Sequence, residues 1–331
     1  MPTRMLTFLP PGDHLVISEN LHRYLTEYCA SNHFRPAFRR RSHLFVPLNK
    51  TKYLDKVDRG EIAADGFIWD LEDSIPADQK ETARANIPHI PEKSGTVEYN
   101  VRINAGDADA LALDIPAIGC FPFDSVTLPK GESPAAIAHL IRDIGAEKAY
   151  IVTIETLKGL CAVEEIASVL RSGKDALGFG VGDMSTDLNL ERLPTTSNPF
   201  FQQMLGTIAL AGKKYKLDLF DSVSAKFNDL ETTRHEAELS CHCFGFTGKK
   251  LINPKQVEVI NTVFSPSRRG IEDDIATLEC FLSPSESNAH VVVGEYKGVP
   301  AYKAADQKIK KYLRQGYLVL SPPHEDPHDV V

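Results

Sequence analysis

The chain has 331 residues, enough for two ordinary domains or one large α/β barrel, and its 42% hydrophobic and 25% charged residues exclude a wholly disordered or collagen-like protein. Lys and Arg total 37 against 45 for Asp and Glu, and the resulting net charge of -8 disfavours a nucleic-acid backbone as the main partner. The six cysteines are scattered and form no small disulfide framework, so reduced thiols are expected.

The first segment, residues 1–40, is predicted to be an N-terminal extension rich in His, Arg and Pro. Pro10, Pro11 and Asp13 fall where a signal peptide needs an apolar block, and no apolar run in the chain approaches the roughly 18 residues that span a bilayer. The sequence therefore predicts a cytoplasmic protein without membrane contact.

Residues 41–282 are predicted to form a TIM (β/α)8 barrel, because short apolar runs alternate there with longer amphipathic stretches. An open doubly wound sheet is the alternative, but no Gly-x-Gly-x-x-Gly turn follows the first run. The eight predicted strands are His43 to Pro47, Gly66 to Asp73, Val97 to Asn104, Ser125 to Lys130, Ala149 to Thr156, Ala176 to Asp183, Asp218 to Ser224 and Phe246 to Asn253.

Residues 283–331 are predicted to form a C-terminal lid segment and a flexible tail. The helical pattern is interrupted at Ser283-Pro284-Ser285. A short strand around Val291 and a charged amphipathic helix around Ala304 to Arg314 are predicted next, and a polar tail begins at Pro322.

Polar residues gather at the carboxyl ends of the predicted strands, where a parallel barrel places its chemistry. Glu155 and Asp183 end consecutive strands, so their carboxylates are expected to face one mouth and to bind Mg²⁺, which accepts one or two carboxylates together with water or substrate oxygens. The alternative is that both are ordinary acids at helix N-termini.

Arg102 ends an apolar run and is a candidate for binding a substrate carboxylate or a developing oxyanion through two parallel hydrogen bonds. A structural salt bridge with Glu72 or Asp73 is the alternative. The two interpretations are compatible, since those acids could orient Arg102 and metal-bound water.

Seven short motifs occur in a fixed order along the chain. They are Arg41-Ser42-His43-Leu44-Phe45-Val46-Pro47, Asp70-Leu71-Glu72-Asp73, Val101-Arg102-Ile103-Asn104, Leu128-Pro129-Lys130, Ile154-Glu155-Thr156, Phe179-Gly180-Val181-Gly182-Asp183-Met184 and Ile252-Asn253-Pro254-Lys255-Gln256-Val257. Over roughly positions 40 to 315, this set resembles the citrate lyase β-subunit-like branch of the HpcH/HpaI aldolase family. The resemblance implies a TIM barrel whose reaction cleaves or forms a carbon–carbon bond next to a carbonyl, often on acyl-CoA thioesters, with Mg²⁺.

Carried over residue by residue, the resemblance makes Glu155 and Asp183 the metal ligands and Arg102 the residue that holds the substrate carboxylate or enolate oxygen. It also implies a homo-oligomer, a trimer or hexamer, in which the C-terminal segment covers a neighbour's barrel mouth. The remaining implied site residues are the surrounding acids Glu72 and Asp73, the substrate-binding or cofactor-binding residues Arg41 and Ser42, and the mouth lysine Lys130.

Two positions depart from the family pattern, and as a result no residue is assigned as the general base. Gly298 stands where a lid motif Gly-x-x-x-Asp-x-Pro has its Asp, and Asn253 replaces a His before Pro-x-Gln-Val. Asp221 and Asp229 are candidate substitutes, with surface turn acids as the alternative. With these departures and its long N-terminal extension, the chain resembles the carbon–carbon lyase-like proteins of tellurite-resistance-type gene clusters more than citrate lyase itself.

The sequence thus predicts a Mg²⁺-dependent carbon–carbon lyase or aldolase that acts on a small carboxylate or a CoA thioester. A catalytically silent barrel that binds a metabolite or a partner protein is the first alternative. A nucleotide site formed by Arg39-Arg40-Arg41 and Lys130 is the second.

Overall fold

A computed structural model describes residues 5–9, 13–34, 36–93, 95–283, 289–292 and 294–321. The chain divides into two compact units, one formed by residues 40–265 and the other by the two terminal segments, residues 1–39 and 266–331. The tail that the sequence predicts to be flexible, from Pro322 onward, lies outside the described residues.

The unit of residues 40–265 is a closed barrel of eight parallel strands, which confirms the predicted TIM barrel. Neighbouring strands follow one another along the chain, and the last strand closes on the first, with Lys249 opposite Ser42 and Leu251 opposite Leu44. The barrel strands are β3 (Ser42–Pro47), β4 (Gly66–Asp70), β5 (Glu98–Arg102), β6 (Ser125–Leu128), β7 (Ala149–Ile154), β8 (Ala176–Phe179), β9 (Asp218–Asp221) and β10 (Gly248–Leu251).

Helices follow the strands and cover the barrel with their apolar faces. Side-chain caps fix where several of them begin: Ser133 accepts from the amide of Ala136, and Pro134 occupies the first helical position, where its missing donor costs nothing. The helices of this unit are α2 (Thr51–Asp58), α3 (Lys80–Ala85), α4 (Ala108–Ile118), α5 (Pro134–Ile144), α6 (Leu157–Cys161), α7 (Val163–Ser168), α8 (Val181–Asp187), α9 (Pro199–Lys214), α10 (Leu230–Glu238) and α11 (Val257–Phe264).

A buried ion network occupies the amino-terminal ends of the barrel strands. Arg40 donates to both carboxylate oxygens of Glu98, at 2.8 Å each, and also contacts Asp218 at 3.2 Å. His43 lies 3.2 Å from Glu98 and stacks on Phe220. Because these charges are paired with one another, this end of the barrel is structural, and the carboxyl ends are where a site can form.

The terminal unit joins both ends of the chain around one core, which includes Leu6, Leu25, Ile271 and Ile309. In its antiparallel sheet, the first strand lies between the second strand and the last one. The elements are β1 (Met5–Phe8), β2 (Asp13–Val16), α1 (Glu19–Ala30), α12 (Arg268–Leu282), β11 (Ala289–Val292), β12 (Glu295–Gly298), α13 (Val299–Arg314) and β13 (Leu318–Leu320).

The division therefore places residues 266–282 with the terminal segments, whereas the sequence assigned them to the barrel and treated residues 1–40 as an extension of their own. The lid role of residues 283–331 and the homo-oligomeric state stay predictions. None of the helices in the described part of the chain combines the length and the apolar character that crossing a bilayer requires.

Candidate active site

Three predicted site residues converge on one cavity at the carboxyl ends of the barrel strands. Arg102 ends β5, Glu155 follows β7, and Asp183 lies in the first turn of α8. All three line a cavity of about 180 Å³. The convergence has a simple origin, because parallel strands in a closed barrel present their carboxyl ends at the same rim.

Arg102 is held by acids on its barrel side. Its Nε and Nη2 atoms donate to the two carboxylate oxygens of Asp70, at 2.7 Å each, and its Nη1 lies 3.0 Å from Glu72 Oε2. Its guanidinium lies 4.6 Å from the ring centre of Phe45. Of the five N–H groups of an arginine, Asp70 takes two and Glu72 one, so two remain for a ligand.

The charges of this cluster stabilise one another. Burial alone would raise the pKa of the Asp70 and Glu72 carboxyls, but the Arg102 guanidinium, together with a hydrogen bond from Ser74 to Asp70 and one from Lys130 to Glu72, holds both pKa values below their ordinary range. Asp73 behaves differently, since burial and the charge of Glu72 raise its pKa. The predicted salt bridge is thus present, and Asp70, which the sequence interpretation did not select, is the main partner.

Lys130 contacts Glu72 as well as both predicted metal ligands, and its backbone conformation is unusual. Its φ of 49° lies in the left-handed region, which costs a non-glycine residue energy and is most common at functional positions. Its amide donates to Glu155 Oε1 at 2.8 Å, while its Nζ lies 2.9 Å from Glu72 and 3.3 Å from Asp183. The lysine therefore fixes the orientation of both predicted metal ligands.

Glu155 is almost fully buried, and burial raises its pKa to about 7 against the opposing effect of the Lys250 charge. Among the described residues, only the Lys130 amide donates a hydrogen bond to this carboxylate. The second oxygen, Oε2, is thus left for a ligand, and a buried carboxylate of this kind is stabilised by a cation.

The donor set fits a magnesium ion. Asp183 Oδ2 is buried and accepts no hydrogen bond within the described part of the chain, although the Lys130 ammonium lies 3.3 Å away, and Glu155 Oε2 also accepts none from the described residues. In the same part of the chain no three His, Cys, Asp or Glu side chains form a metal-binding group. Two carboxylates with the remaining positions open to water or substrate is the arrangement that Mg²⁺ typically accepts.

The absence of a side chain at Gly180 leaves room for the Glu155 carboxylate. A substitution at Gly180 therefore tests the position of Glu155 as a metal ligand. A Cβ atom at residue 180 would lie 2.3 Å from Glu155 Oε2 and 2.5 Å from Glu155 Cβ, closer than atoms can approach. We expect Gly180→Ala to push the carboxylate away and to weaken Mg²⁺ binding at least about tenfold, as measured by calorimetry. Gly182→Ala is the matched control, because its Cβ would meet nothing closer than 3.5 Å. Equal Mg²⁺ affinity in the two variants would contradict the position assigned to Glu155.

The barrel sequence matches one family model. Residues 41–254 match the model of the HpcH/HpaI aldolase/citrate lyase family, which is well over half of the chain. The chain belongs to this family. The predicted resemblance is thereby confirmed.

The similar proteins include enzymes of two activities. The citrate lyase subunit beta of Leuconostoc mesenteroides subsp. cremoris is 30% identical over 85% of this chain and 96% of its own length. The (3S)-malyl-CoA thioesterase of Cereibacter sphaeroides (strain ATCC 17029) is 33% identical over 70% of this chain and 79% of its own length.

Solved structures of the family share the fold. Protein CitE from Mycobacterium tuberculosis, in complex with magnesium, acetoacetate and coenzyme A, has a TM-score of 0.67 and 26% identity over 84% of this chain and 98% of that chain. The citrate lyase beta subunit from the same organism, complexed with oxaloacetate and magnesium, has a TM-score of 0.60 and 27% identity over 69% of this chain and 98% of its own.

Arg41 and Ser42, which the family resemblance assigned to substrate or cofactor binding, do not lie in the cavity. They precede or begin β3, at the amino-terminal end of the barrel, whereas the site is at the carboxyl end. Arg41 donates to both oxygens of Asp65 at 2.7 Å, and Ser42 donates to Asn261. Their position does not support that assignment, because their side chains hold neighbouring elements together at the opposite end.

The candidate bases are also outside the cavity lining. Asp221 is fully buried and paired with Lys249 at 2.7 Å, and Asp229 is a partly exposed cap of α10. The two positions that depart from the family pattern have local roles: Asn253 caps a short 3₁₀ turn, and Gly298 ends β12.

All three arginines of the basic run make contacts within the fold, and these contacts do not favour the nucleotide alternative. Arg39 donates to the carbonyl groups of Gln315 and Gly316, and Arg40 is buried against Glu98. Arg41 is engaged by an acid as well. Three neighbouring arginines form an exposed basic patch when their side chains face solvent. Here their side chains are engaged by carbonyl groups and acids of the fold instead.

Two cations of the cavity were missed by the sequence interpretation. Lys250, on β10, reaches into the cavity, and Arg192 lines its exposed rim. A lysine within an otherwise buried barrel strand is a signal that could have identified Lys250, because such positions are normally apolar. Burial lowers the pKa of Lys250 to about 8, while the charge of Glu155 opposes that shift.

Proposed function

We propose that this chain is a Mg²⁺-dependent lyase or aldolase that cleaves or forms a carbon–carbon bond next to a carbonyl, on a small carboxylate or its CoA thioester. The observation that carries the proposal is the convergence of Arg102, Glu155 and Asp183 on one cavity. The family membership and the magnesium and coenzyme A complexes of the similar CitE protein support it.

In the cleavage direction, a base takes the proton of a β-hydroxyl group, the β carbon becomes a carbonyl group, and the bond between the α and β carbons breaks. Its electron pair passes to the α carbon and the adjacent carbonyl group as an enolate, which then takes up a proton. Glu155 and Asp183 would supply two oxygen ligands to the metal. When bound, magnesium would act as a Lewis acid on the substrate carbonyl oxygen. The two free N–H groups of Arg102 would hold the substrate carboxylate or the enolate oxygen.

Thioester hydrolysis is the second candidate, because a malyl-CoA thioesterase is among the similar proteins at 33% identity. The two reactions share the need to polarise a carbonyl group and differ in the bond that breaks. Carbon–carbon cleavage yields a shorter acyl-CoA and an oxo compound, whereas hydrolysis yields a free CoA thiol.

A panel of 3-hydroxyacyl-CoA thioesters and 4-hydroxy-2-oxo acids, incubated with the protein and Mg²⁺, tests the proposal. We expect one class to release a new oxo compound, detected after chromatographic separation from the substrate, and the release to stop on chelation of the metal. A thiol signal with no oxo product would support the hydrolytic reaction. Metal-independent binding without turnover of any panel member would identify the silent barrel and contradict the proposal.

A further inference from the structure

Lys250 crosses the barrel interior near the floor of the cavity. It belongs to β10, and its Nζ donates to Thr153 Oγ1 on β7 at 2.7 Å. Gly178 on β8 makes room for it, because a Cβ atom there would lie 2.8 Å from the lysine Nζ. The whole residue is 4% exposed, yet it lines the cavity.

The charge of Lys250 has no paired counter-ion, in contrast to that of the preceding lysine. Lys249 is equally buried, and its Nζ lies 2.7 Å from Asp221 and 3.5 Å from Glu236. Lys250 makes no ion pair with any described residue, and Thr153 takes one of its three N–H groups. Burying an ammonium group in this way is unfavourable, so a fold that keeps it gains from an anionic ligand.

Two other cations near the metal ligands are already engaged by acids, and a third, Arg192, is exposed at the rim. Arg102 is bound by Asp70 and Glu72, and Lys130 by Glu72 and Asp183. Lys250 is therefore the buried cation on the cavity wall that has no ion pair with a described residue. A cavity of about 180 Å³ accommodates a group of a few heavy atoms.

We propose that Lys250 is a substrate-binding residue whose ammonium group holds an anionic oxygen of a small 2-oxo carboxylate at the floor of the cavity. The proposal deepens the proposed function and rests on it, since it adds a binding group to the same site. The two free N–H groups of Lys250 and those of Arg102 would then contact the ligand in addition to the metal.

Replacing the charge tests the proposal, with pyruvate as the probe ligand. We expect Lys250→Met to weaken pyruvate binding at least about tenfold in calorimetry with saturating Mg²⁺, and Lys250→Arg to retain most of it. Mg²⁺ binding itself should stay the same or become tighter in Lys250→Met, because a positive charge near Glu155 is removed. A lysine that served only the structure would not weaken pyruvate binding while leaving Mg²⁺ binding intact.

Folding gives a second readout. Removing an uncompensated buried charge should raise the midpoint of thermal unfolding of metal-free Lys250→Met, whereas loss of a structural lysine would lower it. Gly178→Ala keeps the charge but displaces the ammonium group, so it should weaken pyruvate binding and leave Mg²⁺ binding intact. Lys158→Met, on the exposed surface, is the matched control and should change neither.

Pyruvate affinity in Lys250→Met within twofold of the wild-type value would overturn the proposal while leaving the proposed function in place. Failure of the wild-type protein to bind Mg²⁺ would instead contradict the proposed function. In that case pyruvate titrations of the metal-free wild type and of Lys250→Met decide the role of Lys250, and absence of binding to the wild type would overturn that role as well.

Discussion

Glu155→Gln combined with Asp183→Asn is expected to reduce Mg²⁺ affinity at least about 100-fold, to the point where calorimetry records no binding. The two carboxylates are the proposed charged ligands of the metal, and neutral amides bind Mg²⁺ far more weakly. Each single variant should retain weak binding. Unchanged affinity in the double variant would remove the proposed metal site.

A stability measurement shows whether the loss reflects the ligands or the fold. Because burial raises the pKa of Glu155 to about 7 from 4.5, the folded protein holds this proton more tightly than the unfolded chain. Stability therefore falls as pH rises through that window. In the absence of metal, Glu155→Gln should raise the free energy of unfolding at about pH 8, by on the order of 2 kcal/mol, and have little effect at about pH 4. A destabilised variant at the higher pH would contradict the burial of a charged Glu155.

Arg102→Lys is expected to lower turnover by about 10²- to 10³-fold while Mg²⁺ still binds. Lysine keeps the charge that Asp70 and Glu72 require, but its compact ammonium group cannot bind Asp70 through two parallel bonds and hold a ligand oxygen as well. The measurement is the rate of oxo-product release together with Mg²⁺ titration. Turnover close to the wild-type rate would exclude a catalytic role for the guanidinium.

The choice of lysine matters, because Arg102→Ala would leave buried acids unpaired and cost roughly 3–5 kcal/mol of stability. Arg84, paired with the buried Asp114 at 3.0 Å on α3 and α4, is a matched control outside the cavity. Arg84→Lys should cost similar stability and leave turnover unchanged. Equal loss of turnover in both variants would show that the effect comes from weakened folding.

The barrel could be predicted because its signals are local. Each strand is a short apolar run, and the polar residues that follow, such as Glu155 and Asp183, lie at its carboxyl end. The motif order then named the family correctly. These signals give the residues of the site but not the strand register.

The register of the barrel strands explains which site residues could not be predicted from the sequence. Asp70 lies opposite Arg102 on neighbouring strands, and this pairing, rather than proximity in the motif, makes it the main partner of the arginine. Lys250 was not predicted, because the side of the strand on which a lysine lies depends on the closed barrel. Arg41 and Ser42 were assigned by resemblance alone, and that step ignored which end of the strand they occupy.

The terminal unit could not be predicted as one body, because its halves are separated by the whole barrel sequence. Residues 1–40 show little hydrophobic periodicity of their own. Their apolar residues pack against α12, which begins at Arg268, and against α13. A sequence interpretation that proceeds along the chain treats such segments as two appendages.

The pairing of β1 with β13 has a consequence for synthesis on the ribosome. The barrel can close once residue 265 has emerged, but β1 must wait for Leu318–Leu320, which at about 5–20 residues per second arrive several seconds later. During that interval the newly made amino terminus presents an unpaired strand edge, which other nascent chains can capture. Nascent-chain proteolysis should therefore find the first 39 residues cleavable long after the barrel has become resistant.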